Sequence, residues 1–99
     1  MTNAAPAIVI SWERFSDDGK IAANGQPFNH TNLTCATRLF PLGTKLRIVD
    51  VHNGSVIEVT VTDRTAKKFA WRIDLSPAAF AHLNGLSLGI CEATVTVEK

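Results

Sequence analysis

The sequence predicts a mostly-β fold built around one small core, and three observations carry that prediction. Short runs rich in β-branched residues recur along the chain and are separated by turn signals, the pattern of a small sandwich or barrel. An Asn53-Gly54 pair sits between two of these runs, the signature of a β-hairpin. One segment, opened by Ser76-Pro77 and ended by Asn84-Gly85, carries the punctuation of a short helix. With 99 residues the chain has room for one domain, and a domain of that size gains from closing its sheet.

Residues 1–6 are expected to form a disordered lead-in, with the domain running over 7–99. Residues 7–12 are almost continuously apolar and fit a strand buried on both faces. Residues 15–31 turn polar, with turn signals at Asp18-Gly19 and Asn24-Gly25, and read as a long loop of the kind that carries function. A short strand is expected over 33–38, then a turn at Pro41-Leu42-Gly43. Residues 44–51 alternate Leu46 and Ile48 with Lys45 and Arg47. In the paired run 56–63, Ile57, Val59 and Val61 share one face, so period two places Asp63 on the apolar side. Residues 71–75 form a further short strand, and Ser76 caps a helix whose Ala79, Phe80 and Leu83 face the core. The last run alternates Cys91, Ala93, Val95 and Val97 with Glu92, Thr94, Thr96 and Glu98, a half-buried closing strand.

Composition removes several function classes. Ten basic and nine acidic residues give a net charge of +1, with no like-charge run beyond Asp17-Asp18 and Lys67-Lys68, so a nucleic-acid grip is not expected. The longest apolar stretch, residues 4–12, is interrupted by Pro6 and Ser11 and is too short to span a bilayer. The start shows no basic leader followed by a long apolar region, which leaves localisation open. Glycine-rich phosphate loops, paired helical histidines and a nucleophile elbow are missing, so no cofactor is expected. His30, His52 and His82 are far apart and read as solvated side chains, not metal ligands. Cys35 and Cys91 permit one bridge but fit no redox or zinc spacing, and buried free thiols are favoured over a disulfide.

Two carboxylates stand out. Asp63 and Asp74 each close a strand, and Asp63 is followed by Arg64. A partly buried carboxyl group at a strand end suits acid–base work. The alternative is structural: Asp63 pairs with Arg64 or Arg72, or accepts backbone N–H bonds in a tight turn, and Asp74 helps to cap the helix.

Ser11-Trp12, Phe15, Gly19, Ala23-Asn24-Gly25, Leu33-Thr34, Ala36, Arg38, Pro41-Leu42-Gly43-Thr44, Asp63-Arg64 and Ile73-Asp74-Leu75-Ser76 together resemble the rare-lipoprotein-A (RlpA-like) family. The segment Asp74-Leu75-Ser76-Pro77-Ala78-Ala79-Phe80 also resembles bacterial expansins. The resemblance implies a six-stranded double-psi β-barrel with one short helix before the last strand. It further implies cell-wall polysaccharide as the partner and a periplasmic or extracellular location, and the chain is expected to be a monomer. Family members that act as lytic transglycosylases cut peptidoglycan glycan strands with an Asp matched by Asp63 and a Glu matched by Gln26. Asn29 stands where those relatives carry Asp, Thr37 where they carry His, and Thr65-Ala66 where they carry Gly-Pro.

An amide cannot handle the proton that a carboxyl group handles, so binding or remodelling of glycan with weak or no cleavage is the expected function. The alternatives are a transglycosylase with Asp63 as its sole acid–base group, and a protein-binding barrel such as a protease inhibitor or effector. Expansins, which loosen polysaccharide without hydrolysis, supply a set matched by Ser11, Asp63 and Asp74. The expected site therefore has Asp63 at its catalytic centre and Ser11, Trp12, Gln26, Asn29, Thr37, Arg64, Trp71 and Asp74 as substrate-binding residues. Glu13, at an aromatic position of the relatives, is a candidate to replace a missing carboxylate.

Overall fold

The computed structural model of the chain describes residues 6–98. Its six strands are β1 (Ile8–Trp12), β2 (Thr34–Ala36), β3 (Lys45–Asp50), β4 (Val56–Asp63), β5 (Ile73–Leu75) and β6 (Cys91–Val97), with one helix, α1 (Pro77–Leu83), before β6. They close a barrel in the order β1-β5-β2-β4-β3-β6. The pairs β1/β5 and β2/β4 run parallel, and the other four pairings are antiparallel. The part of the expected lead-in that covers residues 1–5 lies outside the described residues.

The most regular part is β3–β4–β6, where alternation decides which side chains enter the core. Leu46 opposes Val59 and Ile48 opposes Ile57 across the β3/β4 ladder, and all four are buried. Phe80 of α1 and Ile10, Ile73 and Leu75 complete the interior with no solvent exposure. Truncating a buried aromatic such as Phe80 to Ala costs about 3–5 kcal/mol. The helix begins as read: Ser76 Oγ accepts the Ala79 N–H at 3.3 Å, with Pro77 at the first helical position. The same hydroxyl donates to the Asn32 carbonyl, which fastens the helix start to the end of the long loop.

The β3–β4 hairpin turns through 51–54, with Gly54 at φ 74° in the left-handed region that glycine enters without strain. Its organiser is Asp50, which follows Leu46 and Ile48 in phase and is therefore buried. The Asp50 carboxylate accepts the N–H groups of His52 and Asn53 at 2.8 and 3.1 Å and the side-chain amide of Asn84 at 3.2 Å. This ties the hairpin to the end of α1, and the Asn53 side-chain amide adds a bond to the Leu83 carbonyl at 2.8 Å.

Two strands are shorter than expected. The run 33–38 pairs only over Thr34–Ala36, because Thr37 and Arg38 already turn toward the segment after β4, where Arg38 Nε donates to the Thr65 carbonyl at 2.6 Å. The run 71–75 pairs only from Ile73, because Trp71 and Arg72 belong to a turn closed by Arg72 N–H to the Phe69 carbonyl. Cys35 and Cys91 are free, buried thiols, and burial pushes both up to about 12.

Candidate functional site

The site follows from one transverse row of the barrel. Ser11 of β1 is opposite Asp74 of β5, Asp74 is opposite Ala36 of β2, and Ala36 is opposite Asp63 of β4. Neighbouring strands lie about 4.8 Å apart, so the row sets the two aspartates about 10 Å apart at their Cα atoms, with a methyl group between them as floor. The result is an open groove of about 270 Å³, whose walls include Trp12, Glu13, Asp63, Phe69, Arg72 and Asp74.

Asp63 reaches this groove because of a β-bulge. Val61 opposes Cys35 but Asp63 opposes Ala36, so Thr62 is an extra residue in β4. The bulge reverses the alternation that simple period two predicts, and Asp63 sits beside Ala36 in the groove instead of extending the buried row. It also frees the Thr62 carbonyl, which accepts the Asn24 N–H at 3.1 Å. Asp63 Oδ1 accepts the N–H groups of Ala23 at 3.0 Å and Arg64 at 2.8 Å. Of the two structural roles open to Asp63 in the sequence, the backbone N–H bonds are the ones observed.

The loop that supplies Ala23 and Asn24 is itself ordered. Gly19 N–H donates to the Phe28 carbonyl and Phe28 N–H to the Lys20 carbonyl, both at 2.8 Å, forming a small hairpin tipped by Asn24-Gly25. His30 is not simply solvated: its Nδ1 lies 2.5 Å from Asp18 Oδ2, and its N–H donates to Asp18 Oδ1. The side-chain bond to His30 holds the Asp18 carboxyl below its usual range.

Asp74 does not cap the helix; Ser76 performs that role. The Asp74 carboxylate accepts the Ser11 hydroxyl and is gripped by Arg72, with Nε 2.8 Å from Oδ1 and Nη2 3.3 Å from Oδ2. The Arg72 guanidinium also lies over the Phe69 ring at 3.7 Å, so cation, carboxylate and aromatic face form one wall.

Glu13 stands two residues beyond Ser11 and projects to the same side. Its N–H donates to the Leu75 carbonyl at 2.7 Å, prolonging the β1/β5 pairing by one bond. Burial, then the nearby charges of Asp63, Asp74 and Asp17, raise its carboxyl to about 8, so it holds a proton at neutral pH.

Of the other expected site residues, Trp12 lines the groove, fixed by its indole N–H to the Leu86 carbonyl at 3.1 Å and edge-on to Phe15. Trp71 stands outside the groove wall, exposed and edge-on to Phe69. Gln26 and Asn29 line a separate depression with Pro27, Phe28 and Asn32. The hairpin of the loop carries them away from Asp63, so they are not its immediate partners. Thr37 is fully buried and does not line the groove, and its hydroxyl accepts the Leu39 N–H at 3.0 Å in a turn. Arg64 contributes to the groove wall, but its Nη1 donates to the Thr37 carbonyl at 2.7 Å and to the Phe40 carbonyl, which turns the charged head toward the backbone. Arg72 and Phe69 were missed as groove residues. The available signal for Arg72 is its place two residues before Asp74, a basic side chain within reach of the carboxylate that closes the short run.

This fold and groove define a double-psi β-barrel with a carboxylate-lined cleft. The chain belongs to the RlpA-like lytic transglycolase family, whose model, described as lytic transglycolase, matches residues 8–95. It is 33% identical over 82 residues to a probable endolytic peptidoglycan transglycosylase RlpA of Synechocystis, covering 83% of this chain and 26% of that protein. An endolytic peptidoglycan transglycosylase RlpA of Campylobacter jejuni is 28% identical, covering 90% of this chain and 32% of that protein. The chain thus spans about a quarter to a third of the length of these curated relatives. Among solved structures, a mutant Clavibacter michiganensis expansin in complex with cellohexaose superposes with TM-score 0.73 at 17% identity, covering 94% of this chain and 50% of that one. Streptomyces papain inhibitor superposes with TM-score 0.71 at 23% identity, covering 92% and 93%. These two likenesses establish the fold.

Proposed function

We propose that the protein binds glycan strands of the bacterial cell wall in the Asp63–Asp74 groove and remodels them. The observation that carries this reading is the Ser11–Asp74–Ala36–Asp63 row, which presents carboxylates at a fixed spacing over a methyl floor between aromatic walls. Sugars are recognised by such a combination, with hydroxyls donating to carboxylates and the apolar ring face lying on an aromatic side chain. Family membership supports peptidoglycan as the polymer, since the RlpA relatives are described as peptidoglycan transglycosylases.

Incubation with insoluble peptidoglycan sacculi tests the reading. The protein is expected to sediment with sacculi, and Phe69→Ala, which removes one aromatic wall, is expected to weaken retention several-fold. Failure of the unmodified protein to sediment with sacculi would overturn it.

A further inference from the structure

We propose that Glu13 is the proton donor of this groove, delivering its proton to the bridging oxygen of a glycosidic bond held between it and Asp63. The inference rests on the glycan-binding reading above and adds a catalytic step to it. The position matched to the family's glutamate is Gln26, which lines a different depression, so any acid in the groove must come from elsewhere.

Three observations point to Glu13. Its backbone is locked into the β1/β5 pairing, two residues beyond the Ser11 that holds Asp74, so its side chain is aimed at the groove. Its Oε1 is enclosed and has no hydrogen-bond partner among the described residues, so no protein donor there holds the carboxyl in its ionised form, while the residue itself lines the groove. The charged groups around it favour the neutral acid. Asp17 faces it from the turn after β1, Asp63 from β4 and Asp74 from β5, and the buried Cys35 thiol of β2 lies beneath. The nearby cations do not offset these: Arg72 is committed to Asp74 and Arg64 to backbone carbonyls, while Arg14, next in sequence, is exposed on the groove wall. With its carboxyl raised to about 8, Glu13 carries the proton a general acid needs at neutral pH.

The step balances without water. As the bond between C1 and the bridging oxygen breaks, the electron pair stays with that oxygen, which takes the Glu13 proton and departs as a hydroxyl. The 6-hydroxyl oxygen of the same sugar bonds to C1, and its proton passes to Asp63, whose Oδ2 has no protein partner among the described residues. The product is a 1,6-anhydro end, and proton exchange with solvent resets both carboxyl groups.

The test uses purified peptidoglycan glycan strands, with anhydro ends read by mass spectrometry, alongside sacculus retention and a ¹³C-carboxyl NMR titration of Glu13. Release of anhydro ends is expected from the unmodified protein, declining as pH rises through about 8. Glu13→Gln is expected to lower release by about 10²–10⁴-fold, a far larger loss than any change in sacculus retention, with partial recovery in Glu13→Asp. Retention without release, undiminished release by Glu13→Gln, or a Glu13 carboxyl titrating in the ordinary range would each overturn the donor role and leave the binding reading standing. Absence of retention would overturn both.

Discussion

Two of the carboxyl groups that this barrel shields from water, Asp50 and Glu13, end in opposite protonation states. Asp50 closes the β3–β4 hairpin and Glu13 extends β1 into the groove. For Asp50, burial favours the neutral acid, but bonds from His52 N–H, Asn53 N–H, the Asn84 amide and the Cys91 thiol together outweigh it, and the carboxyl falls below its ordinary value. For Glu13 burial acts in the same direction, no donor answers it, and three neighbouring aspartates add to it. Burial alone therefore does not decide ionisation; the supply of donors does. A carboxylate with a full set of partners is a structural fastener, and one without them is held ready for chemistry.

The sharpest way to break this comparison is to remove the fastener. Asp50→Ala leaves the donors at the hairpin and helix end without an acceptor and is expected to lower stability by about 3 kcal/mol in urea unfolding. Glu13→Gln acts in the other direction. Because the folded-state carboxyl is raised from 4.5 to about 8, the folded protein holds a proton that the unfolded chain releases, and stability falls as pH rises across that interval. Glu13→Gln should flatten the fall and gain about 2 kcal/mol at its upper end, after allowance for the group's partial exposure. Asp50 has the opposite sign: its contribution is held above the ordinary aspartate value of 3.8 and is lost as pH falls below it. Urea midpoints measured from acid to mildly alkaline pH would separate the two slopes.

Smaller effects sharpen the boundary of the groove. Thr37→Val removes an acceptor from the Leu39 turn and is expected to cost about 1 kcal/mol while leaving sacculus retention unchanged. Trp71→Ala, on an exposed side chain outside the groove wall, is expected to change stability by less than about 0.5 kcal/mol. A loss of retention in Thr37→Val would move the site boundary inward from where the geometry draws it.

Much of the architecture was legible because its causes are local. The β3–β4 alternation, the Asn53-Gly54 turn and the Ser76-Pro77 helix start are each written within a few consecutive residues, and all appear where read. Asp63 and Asp74, singled out in the sequence as strand-end carboxylates, both line the groove. The facing of Asp63 was misread because the bulge at Thr62 arises from pairing with β2, far away in sequence, and nothing in residues 56–63 records it. Arg64 does line the groove, but the turning of its guanidinium to the Thr37 and Phe40 carbonyls, like the Thr37 hydroxyl's bond to the Leu39 N–H, is set by the fold of 37–40 and is not written in the local sequence. Asp50 escaped notice for a related reason: an aspartate just before a hairpin turn reads as a surface turn residue, and its burial depends on α1 folding over it.

The order of strands around the barrel also sets a schedule. β1 is joined only to β5 and β6, with Ile10 beside Ile73 and Ile8 beside Ala93. During synthesis this apolar strand emerges ahead of the other five and its neighbours are the last two of the six, so at ordinary elongation rates it waits on the order of ten seconds for both partners. Throughout that interval it is an unpaired hydrophobic edge, the kind of segment that seeks other chains. Closure of the ring thus makes completion of β6, not the early hairpin, the event that shelters the newborn chain.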